Sequence, residues 1–130
     1  MAAGHLDLGR AGEDAAAEFL AARGFTLLAR NWRKDRLELD LVCRDGDAIV
    51  FVEVKARGEG ALGTGAEALG AGKRSRLAKA AALFLSEQNL WREPCRFDVV
   101  LVGRGPEGLS LTHVPAAFEL PAGGPGWQPF

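Results

Sequence analysis

The chain has 130 residues, of which 48% are hydrophobic and 25% are charged, and its net charge is −1. These values are typical of one globular domain with its own core, and they exclude a protein that is basic overall, so nucleic-acid binding would require a local patch. Because no run of 18 apolar residues occurs, no membrane span is expected. The first ten residues also lack the features of a signal peptide, which predicts a cytoplasmic location.

The predicted elements follow the order α-β-β-β-α-β-β, which indicates an α/β fold with a mixed central sheet flanked by helices. The first helix should be capped by Asp7 and should end before Gly24, which suits a left-handed conformation. One domain is predicted over residues 1–120, followed by an irregular Pro/Gly-rich tail over 121–130. The elements are a helix over 8–25, strands over 25–32, 37–44 and 47–56, a mobile Gly-rich loop over 58–72, a helix over 73–88, and strands over 95–103 and 109–114.

The dipeptide Asp45-Gly46 between two alternating runs predicts a β-hairpin. With this dipeptide at the centre of the turn, Glu38 lies opposite Glu53, and Asp40 is a diagonal neighbour of Glu53. One face of the hairpin is then apolar and carries Leu37, Leu39, Leu41, Cys43, Ala48, Val50, Val52 and Val54. The other face carries Glu38, Asp40, Val42, Ile49, Phe51, Glu53 and Lys55.

The charged face gathers groups that suit metal-assisted phosphodiester hydrolysis. Facing carboxylates repel each other, and a divalent cation would remove that cost, because Mg²⁺ binds one or two carboxylates together with water and substrate phosphates. We therefore predict a Mg²⁺ or Mn²⁺ site at Asp40 and Glu53, with Lys55 assisting the attacking water or stabilising charge on the phosphate. The alternative is a solvated sheet face, on which Glu and Lys side chains are common.

A second cluster of charge is basic. Lys73, Arg74, Arg76 and Lys79 lie within seven residues at the start of the second predicted helix, and Arg57 precedes them. Arg57, Lys73 and Arg76 are predicted to contact nucleic-acid phosphates. The alternative is an ordinary solvated basic face of a helix.

The histidine, tryptophan and cysteine residues show no ligand spacing and are given structural roles. We predict terminal or surface positions for the histidines, core positions for Trp32, Trp91 and the two thiols, and an ion pair between Asp98 and Arg96 or another basic neighbour. The residues concerned are His5, Trp32, Cys43, Trp91, Cys95, Asp98 and His113.

The acidic strands also resemble a known signature. Asp40, followed after twelve residues by Glu53 and then Lys55, is similar to the D…(D/E)xK signature of the restriction-endonuclease-like superfamily. The chain as a whole resembles the YraN-like family of small bacterial proteins, which is similar in fold to archaeal Holliday-junction resolvases. The matching stretches are GRAGEDAAAEFLAARGF, RNWR, LELDLVCRDGD, FVEVKAR, GKRSRLAKAAALFL and RFDVVLV, between residues 9 and 102.

This resemblance implies a nuclease-like core in which Glu13 of the first helix joins Asp40, Glu53 and Lys55 as a catalytic residue. It implies a metal-dependent endonuclease acting on DNA, such as branched DNA or DNA under repair, and a homodimer. The alternative is a non-catalytic module that keeps the fold and binds nucleic acid or a protein partner. A third hypothesis is a purely structural adaptor.

Overall fold

The computed structural model describes residues 2–56 and 70–118, with side chains from residue 9 onward. The elements are α1 (Ala2–Ala22), β1 (Thr26–Lys34), β2 (Leu37–Asp45), β3 (Ala48–Ala56), α2 (Ala71–Glu87), β4 (Cys95–Gly105) and β5 (Gly108–Phe118). Their order is the predicted one, and the α/β fold with a mixed sheet is confirmed. Arg57, residues 58–69 of the predicted loop and the predicted tail over 121–130 lie outside the described residues.

The five strands form one sheet in the order β1-β2-β3-β4-β5. β3 and β4 are parallel, and α2 makes the crossover that a parallel pair requires. The other neighbouring strands are antiparallel. The centre of the sheet, where β3 lies, is therefore the position with the least access to solvent.

Each helix covers one face of the sheet. The α1 face consists of Ala16, Leu20, Leu41, Cys43, Val50, Val52, Val100 and Val102. The α2 face consists mainly of Leu39, Val42, Ile49, Phe51, Leu77, Ala80, Ala81, Phe84, Leu85, Phe97, Val99 and Leu101. Because both faces are covered, β3 is apolar at successive positions from Ile49 to Val52, as in buried sheets generally. No helix in the described part of the chain combines the length and hydropathy that crossing a membrane requires.

The boundaries of α1 correct one prediction and confirm another. The helix begins at Ala2, so Asp7 lies inside it and the predicted N-cap at Asp7 is wrong. Alanines at positions 2 and 3 favour helix and allow this earlier start. The predicted end is confirmed, because Gly24 has a φ angle of +96°, which few residues other than glycine adopt.

The register of the β2–β3 hairpin differs from the predicted one by two residues. Asp45 pairs with Ala48, so the turn consists of Gly46 and Asp47 rather than Asp45 and Gly46. Gly46 has a φ angle of +63°, and the favoured two-residue hairpin turns require a positive φ at their first central position.

Glu38 consequently does not face Glu53, and that prediction is wrong. Glu38 instead pairs with Arg33 of β1, with Oε2 at 3.0 Å from Nε. In the observed register the last β2–β3 pair is Leu41–Val52, and one further step brings Asp40 opposite Glu53. A shift of two residues preserves the side of the sheet to which each residue points, so the predicted proximity of these two carboxylates survives the error.

The alternation of faces is interrupted in the middle of β2. Leu41 lies on the α1 face, whereas Leu39, two residues earlier, lies on the α2 face. The predicted grouping of Leu39 with Leu41 on one face is therefore wrong. Asp40 lies at the position where the strand changes face.

β1 changes face at the same level. Arg30 pairs with acidic side chains of α1, whereas Trp32 packs edge-on against Phe84 of α2, with ring centroids 5.8 Å apart. Between them Asn31 has a φ angle of +53° and faces Asp40 across the ladder. The change of face in both strands thus coincides with this left-handed residue. Trp32 is partly buried and packs against the core on the α2 face, which agrees in part with the predicted core position.

Candidate metal and nucleic-acid site

The candidate site begins where β2 separates from β3. Beyond the Leu41–Val52 pair, Oδ2 of Asp40 accepts a hydrogen bond from the backbone N–H of Val54 at 2.8 Å. β3 meanwhile remains paired with β4 as far as Ala56. The Asp40 carboxylate therefore accepts the hydrogen bond that a backbone carbonyl of a paired β2 strand would otherwise accept. Its remaining lone pairs can bind a second group.

Glu53 is buried against Leu39, Leu77 and Phe97 of the α2 face. Its carboxyl group is hydrogen-bonded to that of Asp40. Burial, and secondly repulsion by Asp40, raises the pKa of Glu53 to about 8. Burial is also the main cause that raises the pKa of Asp40. Because two carboxylates in contact do not both ionise readily, they share one proton near neutral pH, and the pair then carries a single negative charge.

Lys73, in the first turn of α2, provides a cation to this pair. Its Nζ lies 3.1 Å from Oε2 of Glu53, and the lysine side chain is 33% exposed whereas that of Glu53 is 11% exposed. The first turn of α2 contains no acidic residue, and Gly70 offers no side-chain cap. The Glu53 carboxyl group lies beside this N-terminus through its contact with Lys73, at a position where negative charge is favourable. The predicted contact of Lys73 with phosphate stays a prediction.

Glu13 approaches the site from the opposite side of the sheet. Its Oε1 lies 3.8 Å from a guanidinium nitrogen of Arg30, which also pairs with Asp14. Repulsion by Glu13 adds to the rise in the pKa of Asp40, after burial. Asp40 thus lies between an acid of α1 and the Glu53 carboxyl group on the α2 face. Sequence analysis missed Arg30, because its role depends on how α1 packs on β1.

The remaining predicted site residues flank the carboxyl pair. Lys55 follows Glu53 by two positions on β3 and makes no ion pair with any described side chain. Arg76 is exposed on α2, one turn after Lys73. Arg57 lies outside the described residues. Asp40, Glu53 and Lys73 are therefore the predicted residues that contact one another.

The oxygen ligands of Asp40 and Glu53 suit a hard divalent cation such as Mg²⁺ or Mn²⁺. Over residues 9–56 and 70–118, no three His, Cys, Asp or Glu side chains are gathered closely enough to form a metal cage by themselves. Mg²⁺ commonly binds through one or two carboxylates and completes its coordination with water and phosphate oxygens. The carboxyl pair fits this mode, because a cation would replace the shared proton and relieve the repulsion.

A buried polar network on the α1 side was largely missed by sequence analysis. The carboxylate of Asp98 is fully buried and accepts hydrogen bonds from Nε of Arg96 at 3.0 Å and from the backbone N–H of Ala116 at 2.9 Å. Its other oxygen lies 2.7 Å from Nε2 of His113, which is 6% exposed. The predicted surface position of His113 is therefore wrong. The ion pair between Asp98 and Arg96 is confirmed, and Arg96 also binds Asp45 at 3.1 Å.

The fold and the site together define a small α/β domain whose central hairpin opens onto a carboxyl pair. The chain belongs to the Uncharacterised protein family UPF0102, whose model matches residues 12–102. This is the YraN-like family indicated by the sequence motifs, and that prediction is confirmed. The matched segment includes every predicted site residue.

Three relatives illustrate the similarity. A UPF0102 protein of Oleidesulfovibrio alaskensis is 50% identical over 118 residues, which are 87% of this chain and 58% of that protein. A UPF0102 protein of Nitratidesulfovibrio vulgaris is 43% identical over 126 residues, or 94% of each chain. A UPF0102 protein of Ectopseudomonas mendocina is 50% identical over 117 residues, which are 88% of this chain and 97% of that protein. The chain thus spans somewhat over half of the first relative and nearly all of the other two.

Proposed function

We propose that this protein is a metal-dependent endonuclease that acts on DNA, such as branched DNA or DNA under repair. The observation that carries the proposal is the Asp40–Glu53 carboxyl pair at the point where β2 and β3 separate, with Lys55 two residues further along β3. The similarity of these three residues to the D…(D/E)xK signature supports the same activity.

In this proposal Asp40 and Glu53 hold Mg²⁺ or Mn²⁺, which when bound activates a water molecule and offsets charge on the scissile phosphate. Lys55 orients the water or stabilises the charge on the phosphate. Glu13 adds negative charge beside Asp40 and so strengthens the attraction for a cation.

The start of α2 supports an interaction with nucleic-acid phosphates. The first backbone N–H groups of a helix have no intrahelical partners, and together with the helix dipole they attract anions. Lys73 and Arg76 lie in the first two turns of α2, and Arg57 comes shortly before them in the chain. The acidic residues that bind the metal would then lie on the strands, the basic residues that bind phosphate would lie on α2, and the two groups would meet at the contact between Glu53 and Lys73.

The proposal is tested by incubating the protein with single-stranded, duplex and four-way-junction DNA in Mg²⁺, Mn²⁺ or EDTA. Asp40→Asn should abolish cleavage and preserve binding, because it removes a metal ligand and one negative charge near the phosphates. Asp47→Asn is the matched control, since Asp47 is exposed in the turn of the same hairpin. Cleavage that persists in Asp40→Asn would refute the assignment of this site.

A non-catalytic module that binds nucleic acid or a protein partner is the second candidate. It is favoured by the lack of a three-ligand group among the described residues and by the ion pair that Lys73 makes with Glu53. In that case the wild-type protein binds DNA but cleaves it with none of the metal ions. The double variant Lys73→Ala/Arg76→Ala then binds DNA more weakly and with a smaller dependence on salt concentration. If neither cutting nor binding is observed, both nucleic-acid functions fail and partner binding remains.

A further inference from the structure

We infer that Lys73 is an internal cation that is exchanged for the metal at Glu53, and that its release makes it available to a substrate phosphate. The inference rests on the proposed function, because it takes Asp40 and Glu53 as the metal-binding pair. Lys73 then has a role both in the site without metal, where it pairs with Glu53, and in the site with metal, where it contacts phosphate.

The contact between Lys73 and Glu53 is the first step of the argument. The ammonium lies 3.1 Å from Oε2 of the Glu53 carboxyl group, which is almost entirely removed from solvent. The single negative charge of the Asp40–Glu53 pair is costly to bury unless it is paired, and Lys73 is the cation in contact with Glu53 among the described residues. Without a metal, the site is therefore partly compensated by a side chain of its own.

The second step is that Lys73 and a metal ion exclude each other. A cation bound to Glu53 needs the lone pairs of the same carboxylate, at the short distances of Mg²⁺ coordination. An ammonium at hydrogen-bond distance from Oε2 occupies part of that space, and it repels a divalent cation. Binding of the metal therefore requires Lys73 to move away.

The third step is where Lys73 goes. It lies in the first turn of α2, its side chain is one-third exposed, and its flexible stem lets the ammonium turn outward without a change in the helix. There it joins the exposed Arg76 at the positive end of the helix dipole, where phosphate is favoured. Metal and phosphate binding are then coupled, and each should increase the affinity for the other.

Lysine labelling tests the exchange directly, because the chain has only four lysines, Lys34, Lys55, Lys73 and Lys79. The protein is treated with limiting acetic anhydride at fixed, mildly alkaline pH in EDTA, in Mg²⁺, and in Ca²⁺ with a short DNA duplex, and each lysine is quantified by mass spectrometry. Lys73 should be acetylated several-fold faster in Mg²⁺ than in EDTA, and it should be protected again by the duplex. Lys34, paired with Glu87, and Lys79, exposed on α2, are internal controls whose rates should not respond to Mg²⁺.

Asp40→Asn completes the design, because it removes a metal ligand without touching the ion pair of Lys73, and in it Mg²⁺ should no longer change the labelling. Metal binding detected by calorimetry with unchanged labelling of Lys73 would overturn the exchange and leave the proposed nuclease standing. Absence of metal binding would overturn both the exchange and the metal site. Faster labelling of Lys73 without any DNA cleavage would support the exchange and count against the nuclease.

Discussion

Glu53 is a carboxyl group that folding makes harder to ionise, and this has a consequence for stability. Its pKa is raised from 4.5 to about 8, chiefly by burial. Between these two pH values the folded protein holds a proton that the unfolded chain has lost, so the free energy of unfolding falls as the pH rises, with a slope that approaches about 1.4 kcal/mol per pH unit. Glu53→Gln should remove this component, and urea denaturation across the pH range will measure it.

The matched control for that measurement is Glu38→Gln in the same hairpin. Glu38 is exposed and pairs with Arg33 at the surface, so its replacement should leave the pH profile unchanged. The quantity to compare is the difference between each variant and the wild type. A Glu53→Gln profile parallel to that of the wild type would show that Glu53 is not protonated in the fold.

The same proton opposes metal binding at Glu53. Mg²⁺ binds ionised carboxylates, so below the pKa of about 8 it must displace the proton. Ligand binding stabilises the folded state by mass action, and millimolar Mg²⁺ should therefore raise the melting temperature more at alkaline pH than at acidic pH. Differential scanning fluorimetry checks this, with Glu53→Gln as the variant that loses the shift. A shift that does not depend on pH would place the cation elsewhere.

For individual side chains, the sequence predicted the acidic residues of the site better than the residues that contact the acidic side chains. Asp40 and Glu53 are recognisable because carboxylates interrupt apolar strands, and the resemblance to the D…(D/E)xK signature points to the same positions. The roles of Arg30, His113 and Lys73 depend on how helices and a distant strand pack on the sheet, and such contacts leave no periodic pattern in the sequence.

The change of face in β1 and β2 is a property of an element rather than of one side chain. Asn31 adopts a φ angle of +53° at the level of Asp40. Asn31→Gly should be tolerated, since glycine takes this conformation freely, whereas Asn31→Val should cost about 1–3 kcal/mol because a β-branched residue is strained there. We also expect Asn31→Val to weaken Mg²⁺ binding, because the change of face at this level of the two strands sets the orientation of the Asp40 side chain.

Asn89→Val provides the matched control for the change at Asn31. Asn89 also has a positive φ angle, +59°, but it follows α2 and lies outside the sheet. Its replacement should destabilise the fold by a similar amount and leave Mg²⁺ affinity unchanged. Equal loss of metal affinity in both variants would mean that general destabilisation, and not the position of Asp40, is responsible.

The errors in the predicted hairpin also belong to the element scale. The predicted turn, Asp45-Gly46, lies one position before the observed turn, Gly46-Asp47. This displacement shifts every cross-strand pair of the hairpin by two residues. The predicted register assumes that side chains alternate between the two faces without interruption, and the local sequence contains no signal for the left-handed conformation of Asn31. The order of elements was predictable, because hydrophobic periods of helix and strand are long-range averages that survive such local irregularities.

For the molecule as a whole, the Asp98 network and the proposed metal site at Asp40 occupy separate regions, so fold stability and metal binding should be separable by mutation. Asp98 links β4 to β5 through His113 and Ala116, and Arg96 extends the network to Asp45 at the hairpin turn. Removing one member of a buried charged network leaves its partners without compensation, which typically costs about 3–5 kcal/mol.

Asp98→Asn should therefore lower the free energy of unfolding by about 3 kcal/mol, measured by urea denaturation, because Arg96 loses the buried carboxylate with which it pairs. The folded fraction of this variant should bind Mg²⁺ with the affinity of the wild type, since no residue of the network contacts Asp40 or Glu53 in the described structure. Asp40→Asn should show the opposite combination, with Mg²⁺ binding lost and the stability of the fold retained. Its free energy of unfolding should stay within about 1 kcal/mol of the wild-type value, because an amide oxygen can still accept the hydrogen bond from the backbone N–H of Val54. If both variants lose both properties, the two regions are one cooperative unit and metal affinity reports only on folding.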